Sequence, residues 1–142
     1  MSSASQPLTT PERNKALILR WFEEVWNRGR RETIHELIAE HGVVHDGAQD
    51  YRGPEDFSRF YDKLRSQFSD FKITPIESLA EGDLVCLHWS ASFTHTATGK
   101  RAHVTGTSII HIENGRFVEG WQNWDTARLQ SQLATVDSTL SL

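Results

Sequence analysis

Trp121, Asn123 and Asp125 stand at alternate positions in the segment VTGTSIIHIENGRFVEGWQNWDTARLQSQL, residues 104–133. Within it, Glu113-Asn114-Gly115-Arg116 has the form of a two-residue β-hairpin, because Asn-Gly tolerates the positive φ angles of a type I′ turn. If Glu113 pairs with Arg116 and the ladder runs on unbroken, Asp125 lies opposite Val104, Asn123 opposite Gly106 and Trp121 opposite Ser108. Cross-strand partners share a face. An amide and a carboxylate then join a face otherwise made of Val104, Gly106, Ser108, Ile110 and Ile112. A carboxylate among apolar groups has its charged form disfavoured, which raises its pKa toward a range useful for proton abstraction. Asp125 is therefore the candidate general base, with Trp121, Asn123 and Ser108 as ligand contacts. The alternative is purely structural: Asp is a favoured N-cap, and the following TARLQSQL reads as a helix.

The other candidates are histidines. His45, preceding Asp46 at the end of Val43-Val44, is the second candidate for the site, against the alternative of a surface-loop histidine. His41 and His45 are four apart, but the intervening Gly and two β-branched valines do not favour a helix. There is no HExxH motif and no thiolate pair, so no metal site is expected. A nucleophile elbow, a phosphate-binding loop and a dinucleotide fingerprint are also missing from the sequence. Proton transfer without a cofactor is the chemistry left.

The elements that must position these groups follow from periodicity. Thr10-Pro11-Glu12 marks a helix start, and Ile18, Trp21, Phe22 and Val25 recur at helical spacing up to Gly29. A shorter helix carries Ile34, Leu37 and Ile38. Gly53-Pro54-Glu55 opens a third, with Phe57, Phe60, Tyr61, Leu64 and Phe68 on its apolar side. The period then switches to two, and residues 71–79, 84–95, 102–112 and 116–124 read as strands. Helices followed by an antiparallel meander predict an α+β fold. Packed on one face of a curved sheet, the helices would close a blind pocket in its concavity, with Trp21, Phe57 and Tyr61 among its lining.

The strand over residues 84–95 has two readings. Either Val85, Leu87, Trp89, Ala91 and Phe93 form the core and His88 faces solvent, or the small polar set of Cys86, His88, Ser90, Ser92 and Thr94 lines the pocket. The second places His88 near Ser108 and leaves the apolar face for another subunit. Small polar residues suit a pocket lining, so His88 joins the expected site. A homodimer through the sheet's outer face, using some of Leu87, Trp89, Ile109 and Trp124, follows.

Composition bounds the rest. The chain of 142 residues is long enough for one domain with a core of its own. Its 15 basic and 19 acidic residues give a net charge of −4, and the scattered basic residues make no nucleic-acid footprint. A lone cysteine, Cys86, fits a reducing compartment. No apolar run approaches the roughly 18 residues of a membrane span, and the first residues lack a secretory signal's basic and apolar regions. A cytoplasmic protein is expected, with residues 1–10 a disordered lead-in, residues 11–134 one domain and residues 135–142 a tail.

The order of elements and the segments NKALILRWFEEVWNRG, VVHD, YRGPEDF, AEGDLV and residues 104–133 resemble the SnoaL-like polyketide cyclase family of the nuclear-transport-factor-like superfamily. The match runs over about residues 14 to 134, and the ending from Trp121 to Asp125 is its most specific part. The resemblance implies a cone of curved antiparallel sheet with three N-terminal helices enclosing a cavity, in a homodimer joined through the sheet's outer face. It also implies an intramolecular aldol closure with Asp125 as acid/base and no cofactor or metal. His45 matches a cavity histidine, while His88 falls where many relatives carry arginine. The related limonene epoxide hydrolase uses an Asp-Arg-Asp set, for which this strand offers only His88 and Ser90. The fold also hosts isomerases, dehydratases, hydrolases and non-catalytic binders, so a small-molecule binding protein stands beside the enzyme reading.

Overall fold

Alternating faces and helical stripes build a layer of helices on one curved sheet. The structure, a computed structural model, describes residues 10–134; the expected lead-in, apart from Thr10, and the expected tail lie outside that range. Helix α1 (Thr10–Trp21) continues as a wider π-helical segment, Phe22–Asn27, and α2 spans Glu32–Leu37. Strands β1 (Ile38–Asp46) and β2 (Gln49–Arg52) precede α3 (Gly53–Gln67). Then come β3 (Phe68–Glu81), β4 (Leu84–His95), β5 (Arg101–Glu113) and β6 (Arg116–Trp124), and α4 (Thr126–Leu133) is the last described element. The six-stranded sheet has the order β2-β1-β6-β5-β4-β3.

The fold is α+β, as periodicity predicts, with one difference. The sheet is mixed, because β1 runs parallel to β6. The segment with Val43 and Val44 is thus a strand, as its β-branched residues favour. Gly42 sits where the β1–β6 register shifts, and a Cβ there would stand 2.6 Å from the Phe117 carbonyl oxygen. A fourth helix, α4, follows Asp125.

The helical layer is fixed to the sheet by aromatic packing and a few polar clamps. Trp21 packs on Phe57 and Phe117 at ring separations of 5.3 and 5.4 Å. Trp26 packs on Tyr61 at 5.1 Å, and the Tyr61 hydroxyl donates to the Val25 carbonyl at 2.8 Å. The Asn27 amide donates to the Ile73 carbonyl at 3.0 Å and accepts from the Ile73 N–H at 2.6 Å. A side-chain amide thus stands in for a strand neighbour and ties the first helix to β3.

The β5–β6 hairpin turns as predicted, with φ of 52° at Asn114 and 74° at Gly115 and with Glu113 paired to Arg116. The ladder does not run on unbroken. Ile112 pairs with Phe117, but His111 pairs with Glu119, so Val118 is the extra residue of a β-bulge. One inserted residue moves every later side chain of β6 to the opposite face. Gly120, Gln122 and Trp124 therefore face inward with Ile110, Ser108 and Gly106. Trp121 and Asn123 face outward, opposite Ile109 and Thr107.

Strand β4 follows the first of its two readings. Val85, Leu87, Trp89, Ala91 and Phe93 are buried in the core, and His88 is exposed. Helix α1 and its π-helical continuation pack over that face, with Phe22 6.1 Å from the Trp89 ring. The dimer surface expected through Leu87, Trp89 and Trp124 is corrected accordingly: these three side chains face the interior, and only Ile109 of the expected four is on the outer face.

Candidate active site

The concave side of the sheet and the helices enclose an aromatic cavity of about 60 Å³. Phe22 and Trp26 line it from the first helix, Phe60 and Leu64 from α3, and Trp89, Phe93 and Val104 from the sheet. Its polar side chains are Asp46 and Gln122, with the indoles of Trp89 and Trp124 beside them. A second, outer chamber of about 360 Å³ shares Phe60, Leu64 and Trp124 with it and adds Tyr51, Arg59 and Lys63.

Asp46 closes β1 and pairs in register with Gln122 of β6. Its Oδ1 accepts a hydrogen bond from Trp124 Nε1 at 3.0 Å; among the described residues nothing donates to Oδ2. Burial pushes the Asp46 carboxyl above the ordinary aspartate range, and the Trp124 N–H partly offsets that shift. The tyrosine at position 51 is raised too, first by burial and then by the nearby Asp46 charge.

A second polar chain lies beside it. Trp89 Nε1 donates to Ser108 Oγ at 3.0 Å, and the Ser108 hydroxyl donates to Gln122 Oε1. Gly106 makes this possible: the Trp89 ring lies across its backbone, where a Cβ would stand 2.3 Å from Cζ2.

Ser108 is thus the one expected site residue in the polar network of the cavity. Asp125 is not: it caps α4, accepting from the Arg128 N–H at 2.9 Å, while its own N–H donates to the Thr105 carbonyl at 3.2 Å. The bulge at Val118 is the reason, since it turns Asp125 to the side of Thr105 and leaves it exposed. The same shift puts Trp121 and Asn123 outside, and the parity of β4 puts His88 outside.

His45 also points away from the cavity, because neighbouring Asp46 takes the inward position. Its Nδ1 lies 2.7 Å from Asp50 Oδ1 and its Nε2 2.7 Å from Glu119 Oε2, and the ring stacks on Trp121 at 5.5 Å. Two carboxylates on two ring nitrogens hold the imidazolium form, and the Glu119 and then the Asp50 hydrogen bonds raise its pKa.

Trp21, Phe57 and Tyr61 are buried, but none of them lines the aromatic cavity. Trp21 instead lines a smaller crevice with Ile38, Val43 and Phe117. On α3 the residues that line the cavity are Phe60 and Leu64. Asp46, Gln122, Trp124 and Trp89 are the site residues that sequence reasoning missed. The signal for Asp46 was its i, i+2 spacing from Val44 in a β-branched run. Among the described residues, no group of three or more His, Cys, Asp or Glu side chains is placed to hold a metal ion. No helix among them is long and apolar enough to cross a membrane.

The architecture is a curved sheet covered by helices, with a carboxyl set among aromatic rings in its concavity. The chain belongs to the SnoaL-like polyketide cyclase family, whose model matches residues 16–133. Among solved structures, a protein from Jannaschia sp. CCS1 assigned as a SnoaL-like polyketide cyclase superposes with a TM-score of 0.81 at 18% identity, covering 97% of this chain and 100% of its own. IdmH from Streptomyces antibioticus, also assigned as a polyketide cyclase, gives 0.77 at 27% identity over 85% of this chain and 98% of its own. AclR from Streptomyces galilaeus, assigned as a hydroxylase, gives 0.77 at 22% identity over 87% and 96%. No curated protein sequence matches the chain.

Proposed function

We propose that this protein binds a small, hydrophobic, carbonyl-bearing molecule and moves a proton on it, with Asp46 as the general base. The observation that carries this reading is the Asp46 carboxyl itself. It lies among aromatic rings, one oxygen is held by Trp124, and burial raises its proton affinity. Such a base takes a proton from carbon next to a carbonyl, and the C–H electron pair becomes the enolate double bond. In an aldol closure the enolate carbon then attacks a second carbonyl, forming a C–C bond, and the protonated Asp46 returns its proton to the new alkoxide. An isomerisation uses the same first step and returns the proton to a different carbon. No cofactor enters either sequence.

A binding protein without turnover is the second reading, and it draws on the preponderance of rings in the cavity lining. Hydrogen–deuterium exchange at the benzylic carbon of phenylacetone, followed by NMR in D2O, separates the two. Wild-type protein should accelerate exchange over buffer, and Asp46→Asn should lower the rate by roughly two to four orders of magnitude. Exchange at the buffer rate with wild-type protein rejects the enzyme reading. Full exchange by Asp46→Asn rejects this base. The lone Cys86 fits a cytoplasmic setting, and a homodimer through the sheet's outer face completes the proposal, with Ile109 and Trp121 as its apolar centre.

A further inference from the structure

We infer that Gln122 is the hydrogen-bond donor to a substrate oxyanion in this cavity, held in that orientation by Trp89 and Ser108, which makes an enolisable carbonyl compound the substrate class. The inference rests on Asp46 as the base. Its own support is the direction of the hydrogen bonds. An indole N–H can only donate, so Ser108 Oγ is the acceptor of the Trp89 bond. Ser108 is fully buried, and among the described residues Gln122 is the only acceptor for its hydroxyl hydrogen. A buried hydroxyl left without an acceptor is costly. The Gln122 atom facing Ser108 is therefore the carbonyl oxygen, and its NH2 group must point elsewhere.

Competing donors are already committed. The Trp89 N–H is taken by Ser108 and the Trp124 N–H by Asp46. Among the described residues nothing accepts from Gln122 Nε2, and Gln122 lines the same cavity as Asp46 and is its register partner on the neighbouring strand. One carboxylate that accepts and one amide that donates are the two groups enolate formation needs. When Asp46 takes the α proton, the carbonyl π pair moves to oxygen, and the Gln122 amide meets the charge that develops there. A fixed donor costs no reorganisation at that moment. Ser108 and Trp89 are positioning residues, since they act through the amide.

The test uses 4-nitrophenol as an oxyanion probe in Asp46→Asn protein, whose neutral side chain stands in for the protonated base. The absorbance of the bound probe is titrated against pH. Adding Gln122→Leu should raise the midpoint of bound nitrophenol by about one unit, a tenfold weaker preference for the anion. Gln122→Met serves if the leucine variant does not fold. Ser108→Ala should shift the midpoint in the same direction by less, and Ser108→Thr, which keeps the hydroxyl, should restore it. With Asp46 intact, Gln122→Leu should cut phenylacetone exchange by roughly 10²–10³ in kcat with KM changed far less. An unchanged midpoint in the folded Gln122 variants, or no probe binding at millimolar concentration, overturns the donor. If Asp46→Asn exchanges like wild type while the midpoint still follows Gln122, the base fails and the donor stands.

Discussion

Asp46 and Asp125 are two aspartates in opposite circumstances, and their environments decide their work. Asp125 has its side chain on a helix N-terminus, so Asp125→Asn should leave stability nearly unchanged because Asn caps about as well. Asp125→Ala should cost about 0.5–2 kcal/mol in urea unfolding, the usual worth of a cap. His45 offers a pH signature. Its folded pKa is raised by Glu119 and Asp50, so its ion pairs contribute fully below the unfolded value of about 6.5 and fade as pH rises through the folded value. The stability advantage of wild type over His45→Gln, read from urea midpoints, should therefore shrink on going from mildly acidic to alkaline buffer. An advantage that grew with pH would mean that the ring is held neutral.

At the scale of elements, the legible parts of the sequence were those with uninterrupted period. The Asn-Gly turn, the limits of β4 and β6, and the Gly-Pro start of α3 all follow from local chemistry. The bulge did not, because a single extra residue leaves composition and turn type unchanged while inverting every face beyond it. Phe117 and Gly120, three apart yet both inward, are its trace in the sequence. Strand β1 was missed for another reason: its register is interrupted around Gly42, and its partner β6 lies far along the chain. The fold was thus readable, whereas the site depended on strand parity at two places where parity is hard to read. The close contact of Trp89 over Gly106 yields an element-scale prediction. Gly106→Ala should destabilise the protein by about 1–3 kcal/mol through overpacking and displace the Trp89 indole, measurable as a change in tryptophan fluorescence alongside urea unfolding. A silent variant would show that the ring has room to move.

For the whole molecule, the sheet's two sides divide the labour. The concave side holds the cavity, while the outer side carries Ile109 and Trp121 as register partners, 38% and 37% exposed. Burying such a pair is the expected use of a homodimer interface. Light scattering at micromolar concentration should give a dimer for wild type and a monomer for Trp121→Glu; a wild-type monomer removes the interface from the account. Family membership sets the architecture and leaves the reaction open, as the cyclase and hydroxylase assignments among similar folds illustrate. The reaction proposed for this chain rests on the buried Asp46 carboxyl. The most direct measurement is a 13C NMR titration of the side-chain carboxyl of Asp46, assigned by its loss in Asp46→Asn. The account predicts a midpoint above the ordinary aspartate value of about 3.9, rising further in Trp124→Phe as the indole donor is removed. A midpoint at or below the ordinary value would contradict it, because that carboxylate would be too weak a base for the chemistry assigned to it.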